Sequence, residues 1–275
     1  MKKIYVFLTM LAMALTVSAQ DKPTVCVEEF TNSSKLEVSY LKQLQNEVVS
    51  GISNTGRIVI VQPSSYGKLP KDPIAYQDAL KAEGVNFILK GSLNDYSTGT
   101  SKGGLLGGGD KTYATADVSY TLELIDIESH QTLSSETMSC TYSSGSTSAE
   151  AISKAIASVS GDMKKYVDTH FKISATVKAL DQIDPKKGVK TLYVTMGTAA
   201  GISKGDILEV FAEVNIAGEK AKKKIGELKT KEIMSATLSL CDVKNGGEEI
   251  KKAFEEGSRI TVTTRAKKEL IKGLF

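Results

Sequence analysis

Two hydrophobic periods alternate along the chain. Val118, Tyr120, Leu122 and Leu124 are interleaved with Asp117, Ser119, Thr121 and Glu123, and Met138, Cys140 and Tyr142 with Thr137, Ser139 and Thr141. A period of two belongs to strands with one face on a core and one in water. The intervening Glu128-Ser129-His130-Gln131 predicts the turn between them. Upstream, Val85-Asn86-Phe87-Ile88-Leu89-Lys90-Gly91-Ser92-Leu93 reads as a further strand. After Tyr96 comes a stretch carrying Gly99, Gly103, Gly104, Gly107, Gly108 and Gly109, which predicts a solvated loop. Elsewhere the spacing is helical. Leu41, Leu44, Val48 and Ile52, with Tyr40, share one face ahead of Gly56. Ile152, Ala155, Ile156, Val159, Met163, Tyr166 and Val167 form a longer stripe, predicting a single helix that opens at Ser146-Thr147-Ser148-Ala149-Glu150.

These elements fall into two groups. Residues 24–30 predict a strand, Asn32-Ser33-Ser34 a helix entry, residues 57–61 a second strand closed by Pro63, and Asp72-Pro73 a short helix with Ile74, Ala75, Ala79 and Leu80, ended by Gly84. With the strands and long helix above, the order is βαβαβββα, an α/β (α+β) fold with a mixed sheet under covering helices. From residue 171 the pattern changes. Strands are predicted at 171–178, 190–196, 207–211, from 224, at 236–243 and at 259–263, with a turn at Gly201-Ile202-Ser203-Lys204-Gly205-Asp206 and one helix over 250–254 plugging an end. Short strands separated by glycine predict a small β-barrel or sandwich. The expected divisions are 1–19, 20–170 and 171–275.

Residues 1–19 carry export chemistry. Lys2 and Lys3 precede an apolar run over 4–17 and then Val17-Ser18-Ala19, the layout of a cleaved secretory signal. The run falls short of the roughly 20 residues a spanning helix needs. Gln20 stands where a lipoprotein would carry cysteine. The expected location is the periplasm.

Charge is unevenly spread. Residues 20–170 hold 13 basic and 18 acidic side chains, and residues 171–275 hold 20 and 14. The near balance of the whole gives no footprint for nucleic acid. Three widely spaced cysteines, Cys26, Cys140 and Cys241, make no disulfide framework. Cys26 and Cys140 can pair only if their strands are neighbours.

Candidate chemistry is sparse. Residues 104–112 are spaced almost like a phosphate-binding loop, but Asp110 separates Gly109 from Lys111 and a strand follows instead of a helix. With two histidines and no CxxC, no zinc site is expected. His130, in a hairpin turn, and His170, at a helix end, have no nucleophile beside them in the pattern. No catalytic residue, cofactor or metal is therefore expected, and the chain reads as a non-enzyme. Candidate partner contacts are Leu105 and Leu106, the only large apolar residues in the glycine-rich stretch, and Lys220, Lys222, Lys223 and Lys224, a basic cluster expected at a hairpin tip.

The string from Asn86 to Ser139, with its Gly91-Ser92 step, its glycines, and the hairpin strands ending in Leu124-Ile125-Asp126 and opening with Leu133-Ser134-Ser135, resembles the CsgG family, the curli-assembly components of Gram-negative envelopes and their periplasmic relatives. The resemblance covers roughly residues 24–170. "GISKGDILEVF", "KIGEL" and "GSRITV" more loosely resemble the C-terminal β domain of flagellar assembly protein T. The first resemblance implies an envelope assembly or export factor acting by protein contacts, with further copies of itself among its partners and peripheral association with the outer membrane. The alternative it implies is a periplasmic regulator that docks on a peptidoglycan synthase and activates it. The chain departs from the curli pores in lacking the lipidated cysteine, and alternating apolar residues for a membrane hairpin are missing between Ser97 and Thr112.

Overall fold

Val25, Cys26 and Val27 are apolar in succession, as in a strand buried on both faces. A computed structural model, which describes residues 22–103, 111–216 and 218–265, places this strand, Thr24–Val27 (β1), inside a sheet. One parallel neighbour is the edge strand Val59–Val61 (β3), and the other is the long strand Phe87–Gly103 (β4). A two-residue strand, Thr31–Asn32 (β2), runs beside β4 at Ser92 and Leu93. Lys111–Asp126 (β5) and Gln131–Gly145 (β6) continue the sheet antiparallel, giving the order β3-β1-β4-β5-β6.

Helices Val38–Ser53 (α1), Ser148–Ala157 (α3) and Val159–His170 (α4) cover one face. Leu44, Val48, Ile52, Ile156, Met163 and Val167 meet Leu89, Leu93, Val118, Tyr120 and Leu122 in the larger core. Helix Pro73–Ala82 (α2) covers only the β1 side of the other face, where Leu80 closes a smaller core with Cys26, Ile88, Ile125 and Ile127. Pro73 suits the first turn, and the Asp72 carboxylate accepts from the Ile74 and Ala75 N–H groups at 3.1 and 3.0 Å. At α3, Thr147 Oγ1 accepts from Glu150 N–H while the Glu150 carboxylate accepts from Ser146 N–H, a reciprocal cap.

Three expectations are corrected here. The stripe from Ile152 to Val167 is buried throughout, but two helices carry it, meeting at Ser158. The Ser158 hydroxyl donates to the Ala155 carbonyl at 2.7 Å, a local bond that competes with regular helix. The strand expected over 24–30 is regular only to Val27 before β2 starts a separate pairing. The first part of the stretch after Tyr96 is strand, paired with β5 from Tyr96↔Val118 to Gly103↔Lys111, while Gly104, Gly107, Gly108 and Gly109 lie outside the described residues. Its small residues leave the backbone free to pair, which outweighs the turn preference of single glycines.

The second part is a closed six-stranded barrel of Ser174–Asp184 (β7), Gly188–Val194 (β8), Ile207–Ile216 (β9), Glu219–Ile233 (β10), Ser239–Asn245 (β11) and Ile260–Arg265 (β12), in the order β10-β11-β8-β7-β12-β9. Alternate residues fill so narrow a barrel: Leu192, Val194, Leu208, Val210, Leu228, Cys241 and Val262 are fully buried. Helix Gly247–Glu255 (α5) packs Ile250 and Ala253 into that core.

Candidate functional site

The two cores meet around one cation. Arg57, just ahead of β3, is 3% exposed although it opens an apolar run. Its guanidinium donates to Asp168 of α4, to Asp206 Oδ2 at 3.1 Å, and through Nε to the Gly201 carbonyl at 3.3 Å. Lys164 Nζ, 40% exposed, reaches Asp206 at 3.2 Å. Gly201 is at φ +70°, and a Cβ there would lie 2.6 Å from Arg57 Cγ, so the turn takes glycine for both reasons. Arg57 thus joins α4 and the barrel turn before β9.

Beside this tie lies a cleft of about 590 Å³ with Phe87, Phe171, Val85 and Ile173 in its lining and Lys22, Lys81 and Lys172 among its charged groups. Phe87 and Phe171 meet edge to face at 5.4 Å. The cleft opens at the N-terminal ends of β1 and β4, whereas open α/β sheets place ligands at the C-terminal ends. That opposite end has a shallower groove of about 430 Å³ beside Glu28, Tyr76 and Lys90. Burial first, then Glu28 and Cys26, pushes the Tyr76 hydroxyl well above its usual range. A hydroxyl held protonated in this way is no base at neutral pH.

A further uncovered feature is the antiparallel wing. Beyond α2, the face of β4–β5–β6 away from the large core carries Ser92, Asn94, Thr121 and Thr137, joined across three strands. Ser92 Oγ donates to Asn94 Oδ1, Asn94 Nδ2 donates to Thr121 Oγ1, and Thr121 and Thr137 share a bond, each 2.8 Å long. Both edges are bare. Among the described residues, β4 has no partner on its outer side beyond Leu93, and β6 pairs only with β5. Unpaired N–H and C=O groups on an edge are a template for another strand.

Leu105 and Leu106 lie outside the described residues. The β9–β10 hairpin turns next to Gly218, and Lys220, Lys222, Lys223 and Lys224 lie just beyond that turn, along β10 where it pairs with β9. Lys224 is held by Glu209 at 2.6 Å. His130 sits in the β5–β6 turn at φ 55°, with Nδ1 2.8 Å from Gln77 Oε1, and His170 Nε2 lies 2.7 Å from Glu136. Sequence reasoning missed the Arg57 cluster, although Arg57 and Asp206 each stand directly before an apolar run.

Cys26 and Cys140 are not paired, which removes that possibility. Strands β4 and β5 separate them, and they face opposite cores. Burial pushes the Cys26 thiol up to about 11 and those of Cys140 and Cys241 to about 12. Thiolate is the reactive form, so no cysteine is expected to react with a disulfide reagent at pH 8 until denaturant is added, when all three should. Rapid labelling of the folded chain would contradict this. Among the described residues no group of three His, Cys, Asp or Glu is placed to hold a metal, and no helix is long and apolar enough to cross a membrane.

No family model and no curated protein matches the chain. Among solved structures, it is similar to the PelC dodecamer from Paraburkholderia phytofirmans at 16% identity, over 50% of this chain and 85% of that one, with a TM-score of 0.32. Lipoprotein GNA1162 from Neisseria meningitidis gives 15%, 52% and 98%, with 0.33. The C-terminal domain of LpoB from Escherichia coli gives 10%, 43% and 82%, with 0.31. Likenesses this low carry no functional argument.

Proposed function

We propose that this chain is an exported accessory protein of the bacterial cell envelope that works by binding other proteins during export or assembly of surface structures, without chemistry of its own. The observation that carries the reading is the β4–β5–β6 wing, whose two long edges offer backbone pairing to a partner. The signal-like start and the CsgG resemblance supply the compartment. Burial holds Tyr76, Tyr120, Tyr166 and the three cysteines protonated, away from reactivity, which agrees with a binding role.

A photo-crosslinking residue at Thr98 on the β4 edge or at Thr141 on β6 tests this in cells. Discrete adducts at both positions, absent from the same residue at Lys42 on α1, are expected. No adduct at either edge would overturn the reading. An adduct with a peptidoglycan synthase would favour the regulator over the assembly factor.

A further inference from the structure

We infer that β6 is a self-pairing edge, and that its occupant is the β6 of a second copy of this chain, run antiparallel about a two-fold axis at Met138. The inference rests on the reading of the wing as a docking element and names its partner.

The edges of this molecule are not equally protected. The barrel has none, being closed, and β3 is only three residues long. The outer side of β4 carries Asp95 and Lys102 and a register shift between Leu93 and Asp95. Short length, charge and bulges are the devices that keep edges from pairing. β6 has few of them over its middle. It holds no proline and no lysine in fifteen residues, and Glu136 is its one charged side chain. The irregularities in its register with β5 fall outside Ser134–Tyr142, leaving nine regular residues centred on Met138.

That span is compatible with itself. Antiparallel pairing about Met138 sets Thr137 opposite Ser139 of the second copy, Ser135 opposite Thr141, and Glu136 opposite Cys140. On the water side every facing pair is small and hydroxylic, and exposed hydroxyl pairs are favourable across strands. Glu136 and its symmetry mate are four residues apart along the strand, about 13 Å, which exceeds the screening length of about 8 Å at physiological salt. Each is also engaged by its own His170. A two-fold contact closes on itself and adds no further copies. It joins the two six-stranded sheets into one of twelve strands and leaves the outer side of each β4 beyond Leu93 open.

The register makes the test specific. The exported chain, residues 20–275, is expected to run in light scattering at twice its monomer mass. Thr137→Lys with Ser139→Lys places two like-charged pairs opposite each other and should return the mass to that of one chain. Thr137→Glu with Ser139→Glu should do the same. Mixing the two variants should restore the doubled mass through Lys–Glu pairs, which also shows that both are folded. A wild-type monomer at 50-fold dilution below and at about 50 μM alike, or doubled mass in the lysine variant, would overturn the proposal. If the chain is monomeric but Thr141 still crosslinks to another envelope protein, only the self-pairing fails. If no adduct forms either, the docking reading fails with it.

Discussion

Arg57→Ala is expected to cost about 3–5 kcal/mol, the range for breaking a buried ion pair by removing one partner. The cost lies in what remains. Asp168 and Asp206, with side chains 7% and 5% exposed, would be left with Lys164 and, at Asp206, the Ser203 N–H for compensation, and the Gly201 carbonyl would lose the Arg57 Nε–H donor. Urea unfolding followed separately in the two parts should change from one transition to two, since the charged tie between them is removed and fewer contacts are left to couple them. A triple variant, Arg57→Met with Asp168→Asn and Asp206→Asn, should recover much of the loss, because apolar and neutral replacements remove the stranded charges together. A cost below about 1 kcal/mol for Arg57→Ala would show that solvent reaches the carboxylates and that the tie contributes little.

Gly51→Ala is the second large effect, at about 2–3 kcal/mol, the upper part of the overpacking range. Gly51 lies where α1 crosses α4. A Cβ there would sit 2.6 Å from the Ser160 carbonyl oxygen and 2.7 Å from Met163 Cβ. Backbone cannot retreat as a side chain can, so the helices must separate, although alanine by itself favours helix over glycine. Met163→Ala, at a fully buried site, should cost about 2–5 kcal/mol through the cavity it leaves. The pair is expected to be non-additive, as contacting residues are: Met163→Ala removes the Cγ that the new methyl would meet at 2.8 Å and lets the helix shift into the vacated space, although the Ser160 carbonyl and the Cβ at 163 remain. Chemical denaturation of the two single variants and the double variant closes the cycle. A double variant whose cost equals the sum of the singles would mean that the helices part elsewhere.

Much of this architecture was legible because its hydrophobic periods are strong. The alternation from Val118 to Tyr142 and the helical stripe through Met163 specify faces as well as elements, and each apolar position so read in the stripe is buried. Boundaries were less legible where local preference and pairing compete. Glycine, serine and threonine after Tyr96 favour a loop in isolation, yet β5 supplies a partner for every residue from Tyr96 to Gly103. Ser158 ends one helix and admits the next through a hydroxyl bond that spacing does not encode. The junction was illegible for a different reason. Arg57, Asp168 and Asp206 are separated by more than a hundred residues or by a domain change, and only the folded chain sets them side by side. Charge density at the lysine cluster predicts the exposure it has, and the glycine beside it the hairpin, but not how far the strand pairing runs toward the turn.

The placement of Arg57 also fixes how the molecule would bear tension. A pull on the barrel passes through Asp206 and Arg57 to the start of β3, at the opposite margin of the sheet from β6, and through Asp168 to the end of α4, whose His170 is bonded to Glu136 of β6. Strand β3 is held by three registered pairs, whereas β6 is held to β5 by twelve. Under load the sheet would therefore peel from its β3 margin first, and whatever is attached along β6 would be the last thing released.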